Sequence, residues 1–519
     1  MRQSYLKNAA LLTGSDILLR LAGMGLRIYL ANLLGGEGMG LYQLVLAVYS
    51  LFVTLATAGV SVASTRLMAE ELSRGKGQAK GMLVRLTAAA LGLGCLALAG
   101  QFCLAGLAAK WWLGDLRAAS ALRVSALGLP WMAVSAVLRG FFIARRRVEP
   151  NVVSQLVEQG FRIAVMVAAL QRTEDWDVGA RCAVVLAATA ASEVVSTCMM
   201  LLFGRAEARR CFGGTASLRP QDPARRLWEI LWPVEGGRCL ASALHTAENM
   251  LVPACLAVYL AQAGGRSAAV TQYGNLKGMA LPLLNFPFGL LGSLSVLLMP
   301  EITQAHIRGQ TARLQGLLDR MLQLTGYVSA LVGALFCVWG RPLALALYDS
   351  AEAGFYLQVL GPAMPLMYLE SMVDGALKGI GEQKAIFRYG VWDSILRIAG
   401  VVFLLPRFGM RGFLFVILLS GLYTCCANLG RLLRSCGMRT EPGRWLIRPA
   451  LAALAAVGAG LALQRPLQAL LSGGHWTQLF ALALGGTGTA AVGAAAAWPL
   501  GLGRELREIF PPRRGKTGN

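Results

Sequence analysis

Apolar residues occupy long runs that recur along the whole chain, and short polar segments separate them. Most runs are close to the roughly 20 residues that an α-helix needs to cross the hydrocarbon core of a membrane. The pattern therefore predicts an all-α integral membrane protein with about fourteen transmembrane helices. The predicted spans are 10–31, 41–65, 82–109, 118–143, 152–170, 178–203, 227–261, 277–300, 318–339, 354–377, 385–406, 411–433, 445–464 and 476–500.

The composition also indicates an integral membrane protein. Of the 519 residues, 56% are hydrophobic and 15% are charged, whereas soluble proteins carry about 25% charged residues. The polar connections between the runs are short, so no soluble domain is expected. The apolar start of the chain contains Asp16, Arg20 and Arg27, and we interpret it as a retained first helix rather than a cleaved signal peptide.

The formal net charge is +22, which in a soluble protein would suggest binding to nucleic acid. Here the basic residues cluster in alternate loops, as the positive-inside rule describes for membrane proteins. An even number of spans places both termini on the basic side. We therefore expect a multi-pass protein with both termini in the cytoplasm and no nucleic-acid partner.

An internal repeat divides the chain. The repeat consists of three pairs of matching segments at nearly one offset: SVASTRLMAEELSRG (61–75) with SVLLMPEITQAHIRG (295–309), EQGFRIAVMV (158–167) with DSILRIAGVV (393–402), and LRG (138–140) with LKG (377–379). Six predicted spans separate the members of each pair, so the two halves share one orientation in the membrane. Such parallel repeats around a central site suit transport by alternating access.

The repeat predicts two parallel six-helix lobes followed by two further helices. The predicted boundaries are 1–226 for the first lobe, 227–436 for the second lobe, and 437–519 for the last two helices and a cytoplasmic tail.

Several charged residues lie inside the predicted spans, where an arginine costs about 2.5–3.5 kcal/mol on insertion scales. Acids and arginines three or four residues apart share a helix face. The pairs of this kind are Asp16 with Arg20, Glu158 with Arg162, Glu235 with Arg238, and Asp393 with Arg397. One interpretation is that the pairs at equivalent positions of the repeat are internally neutralised struts that fix the rotation of their helices.

Arg27 has no acid along its own helix, although it shares a face with Arg20. A surplus cation in the first span favours an anionic ligand, and pairing with another helix is the alternative. Arg238 repeats the pattern in the span that matches the first one. Arg66 lies at a helix end, where binding of a ligand and snorkelling to the interface are equally open.

Other polar residues in the spans are candidates for coupling to an ion. Glu248 follows His245 by three residues, and Glu370 lies four residues before Asp374. Two adjacent carboxylates could carry a proton or bind a cation, although Lys378 could simply neutralise Asp374. His245 is more readily explained as a core residue.

The sequence lacks the motifs of enzyme chemistry. It has three histidines, no GxSxG or HExxH motif and no phosphate-binding loop, since the GKT at 515–517 lacks the required leading glycine. The GGEGMG at 35–40 follows an apolar helix rather than a strand, so a tight turn between helices is expected. We therefore expect no enzyme activity, no cofactor and no bound metal, and a transport cycle driven by H⁺, Na⁺ or the membrane potential.

The quoted segments, together with RLAGMGLRIYLANLLGGEGMGLY at 20–42 and ALPLLNFPFGLLGSLSVLLMPEIT at 280–303, resemble the stage V sporulation protein B group. This group belongs to the polysaccharide branch of the multidrug/oligosaccharidyl-lipid/polysaccharide exporter superfamily. The resemblance covers spans one to twelve. It implies a V-shaped fold of two lobes around a central cavity, and transport of an undecaprenyl-phosphate-linked sugar across the bacterial cytoplasmic membrane, as in related lipid II flippases.

In those flippases, arginines of the first, second and eighth helices bind the pyrophosphate. By position, the resemblance transfers this role well to Arg20 and less closely to Arg66. Arg27 matches the sporulation group, whereas the lipid II flippases have their second arginine six residues after the first rather than seven. The predicted eighth span carries no arginine, and Arg238 lies on the seventh, so the phosphate clamp departs from the family pattern. The last two helices are expected to form a groove for the lipid tail.

The sequence thus predicts a flippase for a lipid-linked saccharide, such as a peptidoglycan or spore-cortex precursor. Arg20, Arg27, Arg66 and Arg238 are the predicted phosphate ligands. Membrane lipids and cell-wall synthesis enzymes are the expected partners of a monomer. The alternatives are a cation-coupled multidrug exporter of the same fold, a membrane-embedded glycosyl- or acyltransferase, and a structural scaffold for wall synthesis.

Overall fold

The computed structural model describes residues 2–173, 175–213, 223–471 and 474–503, and these residues form helices joined by short turns. The chain divides into two compact units, residues 1–274 and 275–519. The first unit contains eight helices: α1 (Arg2–Arg74), α2 (Lys76–Leu107), α3 (Ala118–Ala126), α4 (Leu129–Ala144), α5 (Glu149–Gln171), α6 (Val178–Phe212), α7 (Pro223–Tyr259) and α8 (Gly265–Tyr273). The all-helical prediction is confirmed.

Helix α1 is two spans joined at one residue. Gly35 has φ 65° and ψ −173°, which is non-helical, and the chain is helical on both sides of it. The turn predicted at 35–40 is therefore confined to Gly35. The other glycines of the motif are helical, and a Cβ added at Gly40 would overlap the carbonyl oxygen of Val270 on α8, so Gly40 allows two backbones to touch.

Small residues also form the core of the first unit. Ala56 of α1, Ala90 of α2 and Ala133 of α4 are completely buried in one cluster. The hydroxyl of Ser64 donates to the carbonyl oxygen of Val137 at 2.8 Å, which joins α1 to α4. Small side chains and inter-helical hydroxyl bonds are the usual means by which membrane helices pack closely.

Helix α7 packs within the first unit, although the sequence analysis places it in the second lobe. Thr246 donates to the carbonyl oxygen of Ala47 on α1 at 2.9 Å, and Thr54 of α1 donates to Ser242 at 3.4 Å. The boundary between the two compact units is therefore at 274/275 in the sequence, whereas the predicted lobe boundary is at 226/227. The transport lobes stay a prediction.

The second unit contains α9 (Leu281–Asn285), α10 (Phe288–Ile307), α11 (Thr311–Tyr348), α12 (Ala351–Leu360), α13 (Met364–Gly379), α14 (Gln383–Cys436), α15 (Arg448–Leu471) and α16 (His475–Ala497). Gly409 (φ 58°, ψ −143°) breaks α14 into two spans, as Gly35 breaks α1. Trp339 of α11 donates to the hydroxyl of Thr489 on α16 at 3.0 Å, which anchors the last helix.

The fourteen predicted spans all fall on helices. In the described residues, nine helices are long and apolar enough to cross a membrane, and α1 and α14 each count as two spans because of their glycine breaks. The largest departure is the predicted span 277–300. There the chain runs through a π-helical segment, Gly274–Ala280, and then through the short α9 before α10 begins. The protein is a multi-pass membrane protein.

Candidate anion-binding cavity and its ionic networks

A carboxylate of the first unit lies between two guanidinium groups. Glu158 of α5 is 2.6 Å from Nη2 of Arg162, one turn along the same helix, and 3.1 Å from Nη2 of Arg139 on α4. The side chains of Glu158 and Arg162 are only 12% and 21% exposed. Because an isolated buried charge is costly, this pairing is what allows the charges to stay inside the unit.

A second carboxylate completes the network from α6. Oε1 of Glu193 is 3.4 Å from Nη2 of Arg162, and Nε of Arg162 donates to the hydroxyl of Ser192 at 3.1 Å. Arg162 also donates to Gln159 at 3.3 Å. Two arginines and two glutamates therefore balance each other across three helices, and Arg162 is the residue that touches both acids.

A cavity of about 260 Å³ opens beside this network. It is lined by Thr57, Ser61, Met132, Ser135, Ala136, Arg139, Glu193 and Arg238. Two guanidinium groups thus face one carboxylate and three hydroxyls. Within the described structure, Nε of Arg139 and the hydroxyl of Ser135 are buried without a hydrogen-bond partner. The cavity therefore presents guanidinium and hydroxyl donors, two of them without a partner in the described residues, which suits a phosphate or sugar group.

The predicted residues of the first span lie apart from the residues that line this cavity. Asp16 and Arg20 are 3.7 Å apart with side chains 63% and 50% exposed, so the pair is long and is not enclosed by the unit. Arg27 is half-buried and has no carboxylate within ion-pair distance in the described ranges. Tyr42 lies within electrostatic range of both Arg27 and Arg162, so the charge of Arg27 acts on the same part of the unit as the network.

Arg66 and Arg238 have different surroundings. Nε of Arg66 is 3.0 Å from Oε1 of Glu70, one turn on, and the Arg66 side chain is 67% exposed. The other oxygen of Glu70 is 2.7 Å from Arg226, so Arg66 belongs to a surface cluster. Arg238 of α7, in contrast, lines the cavity together with Arg139.

The remaining candidates of α7 are spread along the helix. Glu248 is 1% exposed and lies 3.9 Å from Nδ1 of His245. Its carboxylate is within electrostatic range of the buried Tyr273 on α8. The Glu235 side chain lies outside the described part of the structure.

The second unit has its own polar network at the corresponding helices. Asp393 of α14 accepts a hydrogen bond from Ser420 at 2.6 Å, across the Gly409 break. Glu370 of α13 lies within electrostatic range of Asp393 and Arg397. The repeat pairs Asp393 with Glu158 and Arg397 with Arg162. The hydroxyls differ, since Ser420 bonds to the acid in this unit whereas Ser192 bonds to the arginine in the first unit.

The second carboxylate of α13 is neutralised locally. Nζ of Lys378 lies 2.6 Å from Oδ2 of Asp374, one helical turn away. Lys378 is the repeat partner of Arg139, but the two cations behave differently, since Arg139 reaches an acid on the neighbouring helix.

Two residues of the site were not singled out from the sequence. Arg139 lies in the LRG segment of the repeat, and Glu193 is a single acid in the otherwise apolar span 178–203. An ionisable residue inside a span is by itself a signal of function or pairing. Applied to every span, that rule would have identified both residues, but their convergence depends on how α4, α5 and α6 pack.

Comparisons with known proteins place the chain in a family. The model of the family described as "Polysaccharide biosynthesis protein" matches residues 5–303, more than half of the chain. Stage V sporulation protein B of Bacillus subtilis (strain 168) is 24% identical over 427 residues, covering 79% of this chain and 80% of that protein.

Solved structures share the fold. The lipid II flippase MurJ in an inward closed conformation matches with a TM-score of 0.71 at 11% identity, covering 93% of this chain and 98% of that one. An inward-facing multidrug resistance MATE family transporter of the MOP superfamily matches with a TM-score of 0.64 at 14% identity, covering 81% and 94%. The chain is thus a membrane protein with the transporter fold of that superfamily, and it belongs to the polysaccharide biosynthesis protein family.

Proposed function

We propose that this protein is a flippase that moves an anionic, undecaprenyl-(pyro)phosphate-linked saccharide across the bacterial cytoplasmic membrane by alternating access. The observation that carries the proposal is the cavity of about 260 Å³ lined by Arg139 and Arg238. Guanidinium groups bind phosphate oxygens through paired hydrogen bonds. The relation to stage V sporulation protein B and the fold shared with a lipid II flippase support this substrate class.

In this mechanism the diphosphate is bound by Arg238 and Arg139, while Thr57, Ser61 and Ser135 offer hydroxyls to the sugar or phosphate oxygens. Glu158 holds Arg139 beside the cavity until the ligand binds, and Arg162 keeps Glu158 paired afterwards. Arg27, which has no carboxylate partner in the described ranges, adds positive charge on the approach. Arg20 and Arg66, which are more exposed, would meet the phosphate before it enters.

The basic loops support a topology with both termini in the cytoplasm, and the proposed substrate carries negative charge. Moving one elementary charge across the membrane is worth about 2.3 kcal/mol per 100 mV, so the membrane potential can drive transport. Glu248 and the acids of the second network (Glu370, Asp374 and Asp393) are the candidate sites for a coupling ion. The protein would act as a monomer among membrane lipids, with cell-wall synthesis enzymes as neighbours.

The rival function, export of cationic drugs, calls for a cavity dominated by carboxylates. Among the lining residues, two arginines face a single glutamate, which Arg162 already contacts at 3.4 Å. Arg139 is itself paired with Glu158 at 3.1 Å, so it is the guanidinium and hydroxyl donors of the lining, rather than a surplus of charge, that favour an anion.

The test is translocation of a defined undecaprenyl-diphosphate-linked saccharide in proteoliposomes, with and without an imposed potential. Arg238→Gln is expected to slow translocation about tenfold or more, since a hydrogen bond to a charged group is worth about 1.5–3 kcal/mol. Arg238→Lys should retain part of the rate. Arg225→Gln serves as the control, because that arginine is 79% exposed and forms only a surface pair with Glu229.

Translocation by Arg238→Gln at the wild-type rate would show that the cavity does not bind the phosphate. Transport of a cationic dye, with no transport of the saccharide, would support the drug exporter instead.

A further inference from the structure

A second cavity, of about 490 Å³, lies where α1, α4 and α6 end and α2 begins. Its lining residues are Leu72, Lys76, Arg145, Arg147, Glu207, Arg210, Cys211 and Phe212. The cations come from three places in the chain: the first residue of α2, the turn between α4 and α5, and the last turn of α6. None of these residues lines the cavity of Arg139 and Arg238. We call it the basic pocket.

The basic pocket has an excess of positive charge. Glu207 is its one carboxylate and lies 2.9 Å from Arg145 and 2.5 Å from Arg147. The Glu207 side chain is only 4% exposed, so it is committed to these two arginines. Lys76 and Arg210 add two further cations that Glu207 cannot neutralise, and the four cations exceed the single acid by three charges.

The backbone of the α4–α5 turn holds two of the arginines at the pocket. Arg146 has φ 57°, in the left-handed region that glycine usually occupies. Arg147 N–H donates to the carbonyl oxygen of Phe142 at 3.0 Å, and Arg146 N–H donates to that of Ile143 at 2.9 Å. This is the hydrogen-bond pattern of a Schellman motif, where glycine is the common residue.

An arginine in that conformation is uncommon, and such outliers concentrate at functional sites. The consequence here is geometric. The turn brings Arg145 and Arg147, on either side of Arg146, to the same carboxylate and the same cavity.

The N-terminus of α2 adds further positive charge to the basic pocket. Gly75 precedes the helix and supplies no side-chain cap to the first N–H groups. A helix N-terminus carries a partial positive charge and free N–H donors, which is a common way to bind phosphate. Lys76, the first residue of this helix, lines the pocket.

The positive-inside rule explains why the loops carry basic residues. It does not require that basic residues from three places in the chain line one cavity. Arg205 and Arg209 lie on the same helix as Arg210 and are basic as well, but they do not line the pocket. We propose that the basic pocket is a binding site for a phosphate group, supplied either by the headgroup of an anionic phospholipid or by a free phosphate ion. Its volume is within the usual range of ligand pockets, about 300–1,000 Å³.

The lining favours a lipid headgroup. Leu72 and the buried Phe212 (2% exposed) give the pocket an apolar side, which a glycerol backbone would cover and a bare phosphate would leave in contact with water. In the topology proposed above, the ends of α2, α4 and α6 lie at the cytoplasmic headgroup layer, where anionic lipids attract basic residues. This proposal does not rest on the transport function.

The test uses the full-length protein in two arms. In the lipid arm, the protein is placed in nanodiscs of phosphatidylcholine with increasing phosphatidylglycerol, and bound phosphatidylglycerol is counted by native mass spectrometry. In the phosphate arm, inorganic phosphate is titrated against protein in phosphatidylcholine alone, with the unfolding temperature as the readout. We expect saturable binding in the lipid arm and a smaller or no shift with phosphate.

Arg210→Gln and Lys76→Gln are expected to weaken apparent affinity about tenfold each, in line with loss of one charged hydrogen bond. Arg209→Gln is the matched control, since it removes the same charge from the adjacent residue outside the pocket. Both pocket variants leave the Glu207 pairs intact, so folding should be preserved.

If phosphate binds saturably while phosphatidylglycerol does not, and the pocket variants lose affinity for phosphate, the pocket is a binding site for the free ion. Equal affinity of the Arg209→Gln and Arg210→Gln proteins would overturn the proposal, because binding would then reflect overall surface charge. Absence of saturable binding in both arms would overturn it as well.

Discussion

Arg139 donates to Glu158 across 3.1 Å, and the two residues belong to different helices, 19 positions apart in the chain. Glu158 is held at the same time by Arg162 at 2.6 Å. A ligand that draws Arg139 towards the cavity therefore leaves Glu158 still paired. The network separates two tasks: Arg162 neutralises the acids, and Arg139 is able to exchange one anionic partner for another.

This division of tasks predicts unequal effects on stability. Arg162→Gln leaves Glu158 with one partner and removes the ion-pair contact of Glu193 with Arg162, so it should lower the free energy of unfolding by about 3–5 kcal/mol. Arg139→Gln should cost clearly less, because the Glu158–Arg162 pair survives. Denaturation of the purified protein in mixed micelles measures both.

Arg225→Gln is the control for charge removal and should cost less than about 1 kcal/mol, as expected for an exposed pair. If Arg162→Gln were as mild as this control, the network would not be a stabilising one.

Close packing at the start of the second span of α1 predicts a steric effect. In Gly40→Ala, the added methyl group would overlap the carbonyl oxygen of Val270, and such overpacking costs about 1–3 kcal/mol. Gly25→Ala in the same helix has no atom within 4 Å of the added carbon. That variant should be neutral or slightly stabilising, since alanine is the better helix former. Melting temperatures in detergent compare the two, and equal values would refute the close contact.

The anchor between α11 and α16 predicts an effect of a single hydroxyl. Thr489 is completely buried and accepts from the indole N–H of Trp339 at 3.0 Å. Thr489→Val leaves that N–H without an acceptor and should cost about 1–3 kcal/mol, whereas Thr489→Ser keeps the hydroxyl and should recover most of the loss. The measurement is the free energy of unfolding, with tryptophan fluorescence as the probe; identical results for Val and Ser would exclude the hydrogen bond as the cause.

A carboxylate in the turn between α13 and α14 predicts a dependence on pH. Glu382 accepts from Arg431 at 2.7 and 2.9 Å and from Ser435 at 3.1 Å. The Arg431 hydrogen bonds hold the pKa of Glu382 below its usual value of 4.5. A lowered folded-state pKa means that the stabilisation is present above about pH 4.5 and is lost as the pH falls through the lowered pKa.

Unfolding temperatures of the wild type and Glu382→Gln should therefore differ at neutral pH and converge in acid. Glu441→Gln, in an exposed pair with Arg444, is a matched control. A difference between wild type and Glu382→Gln that persisted unchanged at acid pH would contradict this explanation.

The number of spans could be predicted from sequence because each span buries a run of apolar residues about as long as the membrane is thick. The turn at Gly35 could also be predicted from the sequence, since glycine tolerates a positive φ. The Glu158–Arg162 pair followed from helix periodicity alone. Each of these depends on residues that are close in the chain.

The contacts between helices could not be predicted in this way. The convergence of Arg139, Glu193 and Arg238 depends on the packing of α4, α6 and α7. Arg66 was a candidate phosphate ligand, yet the structure gives it Glu70, four residues on, an acid that the sequence analysis did not weigh. The apolar run at 277–300 did not reveal the π-helical segment and the separate α9, because local unwinding leaves hydropathy unchanged.

The single-residue break at Gly35 also bears on how the nascent protein enters the membrane. With no soluble loop between them, the two spans of α1 would leave the translocon together as a hairpin. The apolar second span would then offset the cost of inserting Arg20 and Arg27, about 2.5–3.5 kcal/mol each at a helix centre. We expect residues 1–34 alone to insert poorly and residues 1–74 to insert well, and glycosylation mapping during cell-free synthesis distinguishes the two.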